Sequence, residues 1–371
     1  MGAAATGLGG RAAGKSNRAD AMTSPYDDLS ERSRWSRAVA QRAPDRYADI
    51  YRKKFEISKK DRIVTAGSCF AQHIARRLAA SGFAFMDYEP APTWFPDALR
   101  GSFNYGVYSA RYCNIYTVRQ LLQLFERAYG LRKPVDDMWV SKAGIHDPFR
   151  PAVEPVPFAS EADFQLSRTT HLEAVRKVFE QSDLFICTLG LTEAWTDARD
   201  GAVFPICPGT KAGGVFNPER HAFHNFTYQE ILADFRQFEN LLREVNPGIR
   251  FLLTVSPVPL VATASGQHVL SATVYSKSVL RAVAGQLSQE SERIDYFPSY
   301  ELASAFPSGT RHFEADLRSV KPSGVDYVMS HFFAEHLAED VQSFMDERPE
   351  AGLVPHAEDA ICEEMFLEQR E

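Results

Sequence analysis

Two hydrophobic periods alternate along this chain. Short apolar runs bounded by turn residues occur at Arg62–Ala66, Phe83–Met86, Leu184–Leu189, Arg250–Val255 and Arg293–Phe297, as expected of strands buried on both faces. Between them, apolar residues recur at helical spacing over Phe70–Ser81, Val118–Tyr129, Thr169–Gln181, Tyr228–Val245, Thr273–Glu290 and Gly324–Asp340, which predicts amphipathic helices. This alternation predicts the α/β class, with a mostly parallel sheet covered on both faces. Two long stretches, Leu131–Arg168 and Leu191–Thr227, interrupt it and are rich in Pro, Gly, Asp and aromatic residues. Loops of that length in a compact domain usually carry function, so these two are expected to wall a pocket.

Bulk properties narrow the classes. A length of 371 residues allows one large domain or two, and a net charge of −7 without a long basic run argues against nonspecific nucleic-acid binding. The five cysteines, Cys69, Cys113, Cys187, Cys207 and Cys362, form no CxxC and are odd in number, which fits a reducing cytoplasm better than a disulfide framework. No apolar run approaches the ~18–20 residues that span a bilayer, and no signal-peptide core opens the chain. The expected organisation is a loosely ordered leader over 1–45, one domain over 46–345 and an acidic extension over 346–371. No cofactor is expected, and the sequence does not set the oligomeric state.

The leader carries two decoys. Residues 9–16 satisfy the phosphate-loop pattern GxxxxGK[ST], but no buried strand precedes them and no helix follows, so nothing would fix the loop around a phosphate. Residues 1–6 fit the short myristoylation pattern, which matters only in a host with the modifying enzyme.

The strongest local signal is the run from Arg62 to Leu78: a strand, then Gly67, Ser68 and an amphipathic helix. Such a junction places the Ser68 hydroxyl at the carboxyl edge of the sheet, where ligands of open α/β sheets bind. Nearby helix N-terminal amides can stabilise an oxyanion. The ordinary role of a serine there is an N-cap, but position 71 is Ala, so no capping box supports that role. Cys69 is the neighbouring thiol that a helix N-terminus would activate.

Gly67-Ser68-Cys69-Phe70-Ala71 is the pentapeptide of the GSCFA-domain family, and further blocks resemble that family in order. They are Thr188–Trp195, Thr254–Leu260, Tyr275–Arg281 and Tyr296–Glu301, so the resemblance spans roughly Ile57 to His336. The family is similar to the SGNH, or GDSL-like, esterases and acyltransferases, whose fold is a three-layer α/β/α sandwich. The resemblance implies Ser68 as nucleophile, Gly106 and Asn114 as oxyanion donors, and Asp316 as the orienting acid of a late Asp-x-x-His. Ser319 stands where that histidine is expected, and a serine cannot serve as a base near neutral pH. His312 is then the nearest local base, with His146 and His224 as alternatives from the long stretches. Thr192 replaces an asparagine the superfamily often carries after its glycine.

The resemblance therefore implies an enzyme acting on an O-acyl group, plausibly acetyl, of a carbohydrate or similar hydroxylated molecule. The alternative is a catalytically silent module that keeps the pocket for ligand or partner binding. Trp94, Trp139, Trp195, Tyr105, Tyr108 and Phe149 are candidate sugar-stacking rings, though such rings are also routine core fillers. Lys277 and Arg281, one helical turn apart, are candidates to meet an anionic acceptor. Cys207, His221 and His224 offer soft ligand atoms, but their segment reads as a loop and no metal is assigned.

Overall fold

The structure, a computed structural model, describes residues 24–44, 46–47, 49–211, 213–337 and 363–367. Both leader motifs, and the expected end of the last helix beyond Leu337, lie outside these residues. The chain forms two units, Met1–Tyr47 and Ala48–Glu371. In the first, a 3-10 turn over Glu31–Ser33 precedes a π-helical turn over Ser36–Ala40, and the Arg34 guanidinium donates to the Tyr26 carbonyl at 2.6 Å.

The second unit is built on β1 (Ile63–Gly67), β4 (Leu184–Leu189), β8 (Arg250–Val255) and β9 (Ile294–Tyr296), which pair in parallel in that order. A parallel bridge from Phe85 to Ile63 adds a fifth position beside β1. The spatial order is thus the Phe85 segment, β1, β4, β8, β9, and the switch point, where doubly wound sheets bind ligands, falls between β1 and β4.

Side-chain alternation sends each strand's residues to two cores. Val64, Ala66, Phe185, Cys187, Phe251 and Leu253 pack against α2 (Val118–Ala128), α3 (Glu161–Gln181), α4 (Tyr228–Val245) and α5 (Val269–Glu290). Ile63, Leu184, Ile186 and Leu252 face α1 (Cys69–Ala80), α6 (Ser299–Ser304) and α7 (Pro322–His336). The result is the expected three-layer α/β/α arrangement.

The interrupting stretches fold on themselves rather than forming open loops. The first holds a hairpin, β2 (Trp139–Ser141) with β3 (Gly144–His146), and the start of α3. The second holds an antiparallel sheet in the order β6 (Val203–Phe204), β5 (Glu193–Asp197), β7 (His221–Asn225). The α3 helix starts at Glu161, earlier than its apolar period predicts, because the Ser160 hydroxyl accepts from the Asp163 amide and caps it there.

A buried polar cluster anchors the segment that leads to the switch point. Glu89 accepts from the Arg111 amide at 2.7 Å, meets His171 Nδ1 at 2.7 Å and faces Arg150 at 3.8 Å, while Arg150 pairs with Asp147 at 2.9 Å. Burial opposes ionisation of Glu89, but these partners outweigh it and hold its carboxyl at about 2. Burial, with Arg150 alongside, holds His171 neutral down to about 4; burial and Lys53 do the same to His336. Both imidazoles protonate near 6.5 in the unfolded chain, so their contribution to stability is complete above that pH and declines as pH falls towards 4. Each is worth up to about 3 kcal/mol. Urea midpoints are expected to drop between pH 6.5 and 4, and to drop less in His171→Gln; equal drops in variant and wild type would contradict this assignment. Glu89 adds its own loss only below pH 4.5.

Candidate active site

Gly67 fixes the junction. Its φ is +146°, and a Cβ there would lie 2.3 Å from the Thr188 carbonyl oxygen of the adjoining strand, so only glycine fits. Ser68 follows as the N-cap residue of α1, yet its hydroxyl makes no capping bond. The Oγ is buried without a hydrogen-bond partner among the described residues. Its amide makes a long contact to the Thr188 carbonyl, 3.4 Å. A buried hydroxyl that neither caps nor pairs has forgone a stabilising bond, as groups reserved for a ligand often do.

Ser68, Cys69, Tyr116, Gly190, Lys277 and Glu364 line a narrow cleft that leaves no room between them for a water molecule. Each comes from a different position around the switch point. Gly190 follows β4 and lies so near that a Cβ on it would stand 3.1 Å from Ser68 Cβ. Tyr116 is carried by the segment Asn114–Tyr116, which runs between the two strand ends: the Ile115 amide donates to Gly67 O at 2.9 Å, and the Leu191 amide donates to Tyr116 O at 2.8 Å. Gln120 clamps that segment from both sides, donating to Asn114 O at 3.0 Å and accepting from the Tyr116 amide at 3.0 Å.

This clamping aims two donors at one point. Gln72 Nε2 donates to Asn114 Oδ1 at 3.3 Å, which turns Asn114 Nδ2 the other way. Asn114 Nδ2 and the Tyr116 hydroxyl both donate to Glu363 Oε2, at 2.5 and 2.9 Å. Glu363 belongs to a 3-10 turn over Glu363–Leu367 near the end of the chain. Burial pushes its carboxyl above the usual range, opposed by those two hydrogen bonds. Glu364, raised by burial and opposed by Arg318 and Lys277, pairs with Arg318 Nη2 at 2.8 Å. The Asn114 and Tyr116 pair is thus a cradle for a carboxyl or carbonyl oxygen, filled by the chain's own carboxylate.

Lys277 is wholly buried and donates from Nζ to the Gly190 carbonyl at 2.7 Å. Burial brings its amine down to about 8, with Glu364 opposing and Arg318 adding to the fall. Arg281, its expected companion, turns away to Glu301 and covers the Tyr296 ring at 3.9 Å.

The other expected residues are placed apart from this cleft's lining. Gly106 occupies an exposed left-handed turn at φ +71°. Asp316 lies in an exposed turn, where Ser319 Oγ donates to its carboxylate at 2.6 Å. His312 stacks on Tyr327 of α7, ring centroids 4.8 Å apart. His146 packs beside Gly213, and His224 pairs with Glu230 at 2.9 Å. Among the described residues, no imidazole nitrogen hydrogen-bonds Ser68 Oγ. Among the described residues of the two interrupting stretches only Leu191 lines the cleft, and much of the second forms a sheet of its own. The candidate sugar-stacking rings are committed elsewhere: Trp139 and Phe149 pack on Phe204, Trp195 on Phe216 and Phe223, and Tyr105 beneath Arg111. Trp94 is 78% exposed, and the Tyr108 hydroxyl accepts from Gln72.

His221 and His224 are three apart on a strand and so point to opposite faces. Asp136, Asp197 and His221 do bring ligand atoms within 4.8 Å of one another. Arg220 and Arg199 already pair with those carboxylates, at 2.8 and 2.5 Å, and His221 Nδ1 accepts the Asn217 amide. Two guanidinium groups hold the place a cation would need.

The GSCFA pentapeptide thus stands at the switch point of the sheet. The family model of the GSCFA family matches residues 62–332. The chain belongs to the GSCFA family. No curated protein matches it. Two solved structures are similar at 14% identity and a TM-score of 0.24, each covering 62% of this chain and 92% of its own: an acetyl esterase mutant with an acetate ion, and a carbohydrate esterase family 3 protein from Talaromyces cellulolyticus. Among the described residues no helix is long and apolar enough to cross a membrane.

Proposed function

We infer that the protein is an SGNH-like serine esterase or acyltransferase, acting through Ser68 on an O-acyl group, acetyl by preference, of a carbohydrate or similar hydroxylated substrate. The observation that carries this reading is a buried Ser68 hydroxyl with no hydrogen bond, following the strand end to which the Asn114–Tyr116 segment, whose side chains hold a carboxyl oxygen, is tied. Ser68 would attack the acyl carbon, and Asn114 with Tyr116 would hold the oxygen as it gains charge, where one well-placed donor is worth ~10²–10³ in rate. Water as acceptor completes a hydrolysis; a second hydroxyl completes a transfer. The scattered cysteines favour a cytoplasmic setting.

The test is incubation of the full chain with an organophosphorus serine probe and with activated acetyl esters. Adduct formation on Ser68, located by mass spectrometry, and acetate release above background are expected. No adduct together with background release would sink the reading. A second reading, a ligand-binding module without turnover, is favoured by Ser319 at the position where the family resemblance expects a base.

A further inference from the structure

Resting on Ser68 as the nucleophile, we propose that Lys277 is its general base, so that the cleft works as a serine–lysine dyad in place of the missing histidine. Three observations lead there. Lys277 shares the cleft with the unpaired Ser68 hydroxyl. Its ammonium is bound to the carbonyl of Gly190, the residue whose α-carbon abuts Ser68. It also lies on the stripe of α5 that includes Ala272, Ser276, Leu280, Val283 and Leu287, where a lysine serving only solubility would not be placed.

The chemistry closes without another group. A neutral amine keeps one N–H on Gly190 O while its lone pair accepts the Ser68 proton. Ser68 Oγ then bonds to the acyl carbon, and the carbonyl π pair moves onto the oxygen held in the cradle. As the intermediate collapses, the bond to the alkoxide oxygen breaks and the Lys277 ammonium protonates that leaving oxygen. Water attacks the acyl-serine next, giving its proton to Lys277, which returns a proton to Ser68 Oγ as the acid departs. Serine–lysine pairs of this kind operate on unrelated folds. Burial makes the neutral amine accessible, roughly a tenth of molecules at pH 7 for a group titrating near 8.

The charged and titratable groups facing Lys277 are Glu364 from the terminal turn, Cys69 from α1 and Arg318 from the loop before α7. The test is therefore a pH profile of kcat/KM for p-nitrophenyl acetate on the full chain, with organophosphorus labelling of Ser68 followed in parallel from pH 6 to 10. Both rates are expected to rise with a midpoint near 8. Lys277→Arg and Lys277→Met should lower kcat/KM by about 10²–10⁴-fold and abolish the rising limb. Cys69→Ala should keep the limb where it is. Activity of Lys277→Arg within tenfold of wild type, a flat wild-type profile, or loss of the limb in Cys69→Ala would each overturn the assignment to Lys277. The wild-type and Cys69→Ala profiles together decide the matter even if the lysine variants misfold. Labelling of Ser68 with a flat profile removes the lysine alone, whereas no labelling at any pH removes the serine reading as well.

Discussion

Ser68→Ala is expected to lower kcat/KM for an activated acetyl ester by about 10⁴-fold or more while leaving the folded state as stable as wild type. The first half follows from the proposed role of Ser68, since removing a nucleophile typically leaves only what the oxyanion donors and substrate binding supply. That is about 5–6 kcal/mol of barrier at ten-fold per 1.4 kcal/mol. The second half follows from the hydroxyl's surroundings. Deleting a hydroxyl that is buried and makes no hydrogen bond costs no partner its bond and removes a desolvated polar atom. Urea denaturation should therefore place the variant within about 0.5 kcal/mol of wild type, or above it. Paired loss of activity and of stability would show instead that Ser68 is a structural cap.

Gly67→Ala should have the opposite signature, a large loss of stability. The added methyl would meet the Thr188 carbonyl oxygen at 2.3 Å and Thr188 Cβ at 2.7 Å, with the backbone at φ +146°. Both obstacles are main chain or β-carbon, and neither can rotate aside. Left-handed strain of ~1–3 kcal/mol and overpacking of ~1–3 kcal/mol act together at the pairing of β1 with β4. A destabilisation of about 3 kcal/mol or more is expected by urea titration followed through tryptophan fluorescence. A variant within 1 kcal/mol of wild type would refute the close approach.

The central sheet and the strand-turn-helix junction at Ser68 are legible in the sequence because both are local. β4 and β8 are continuous apolar runs, and α4 follows its period from Tyr228 to Val245 without adjustment. The run at Phe83–Met86 reduced to one bridge, since Phe85 pairs at the edge with Ile63 only. The antiparallel sheet within 191–227 was not legible. Its pairing of Asp197 with His221 joins segments separated by a turn-rich stretch, and its strands mix acids and histidines with aromatics. In the candidate site, Ser68 and Asn114 are legible as candidates from motif and resemblance. The sequence offers Lys277 as a partner for an anionic acceptor, whereas its place on an apolar helical stripe is the signal for burial. Glu363 had no local signal; only the fold brings it to Asn114.

That last contact changes how affinity at this cleft must be understood. A carboxylate carried by the same chain competes at an effective concentration that dilution cannot lower. Any incoming acyl group binds only the fraction of molecules whose cradle is vacant, and its apparent dissociation constant is the intrinsic one divided by that fraction. If nine molecules in ten hold Glu363 in place, a ligand of micromolar intrinsic affinity registers as ten micromolar, at every protein concentration. On the proposed function, Glu363 would therefore set the threshold at which the site first responds to an acyl substrate.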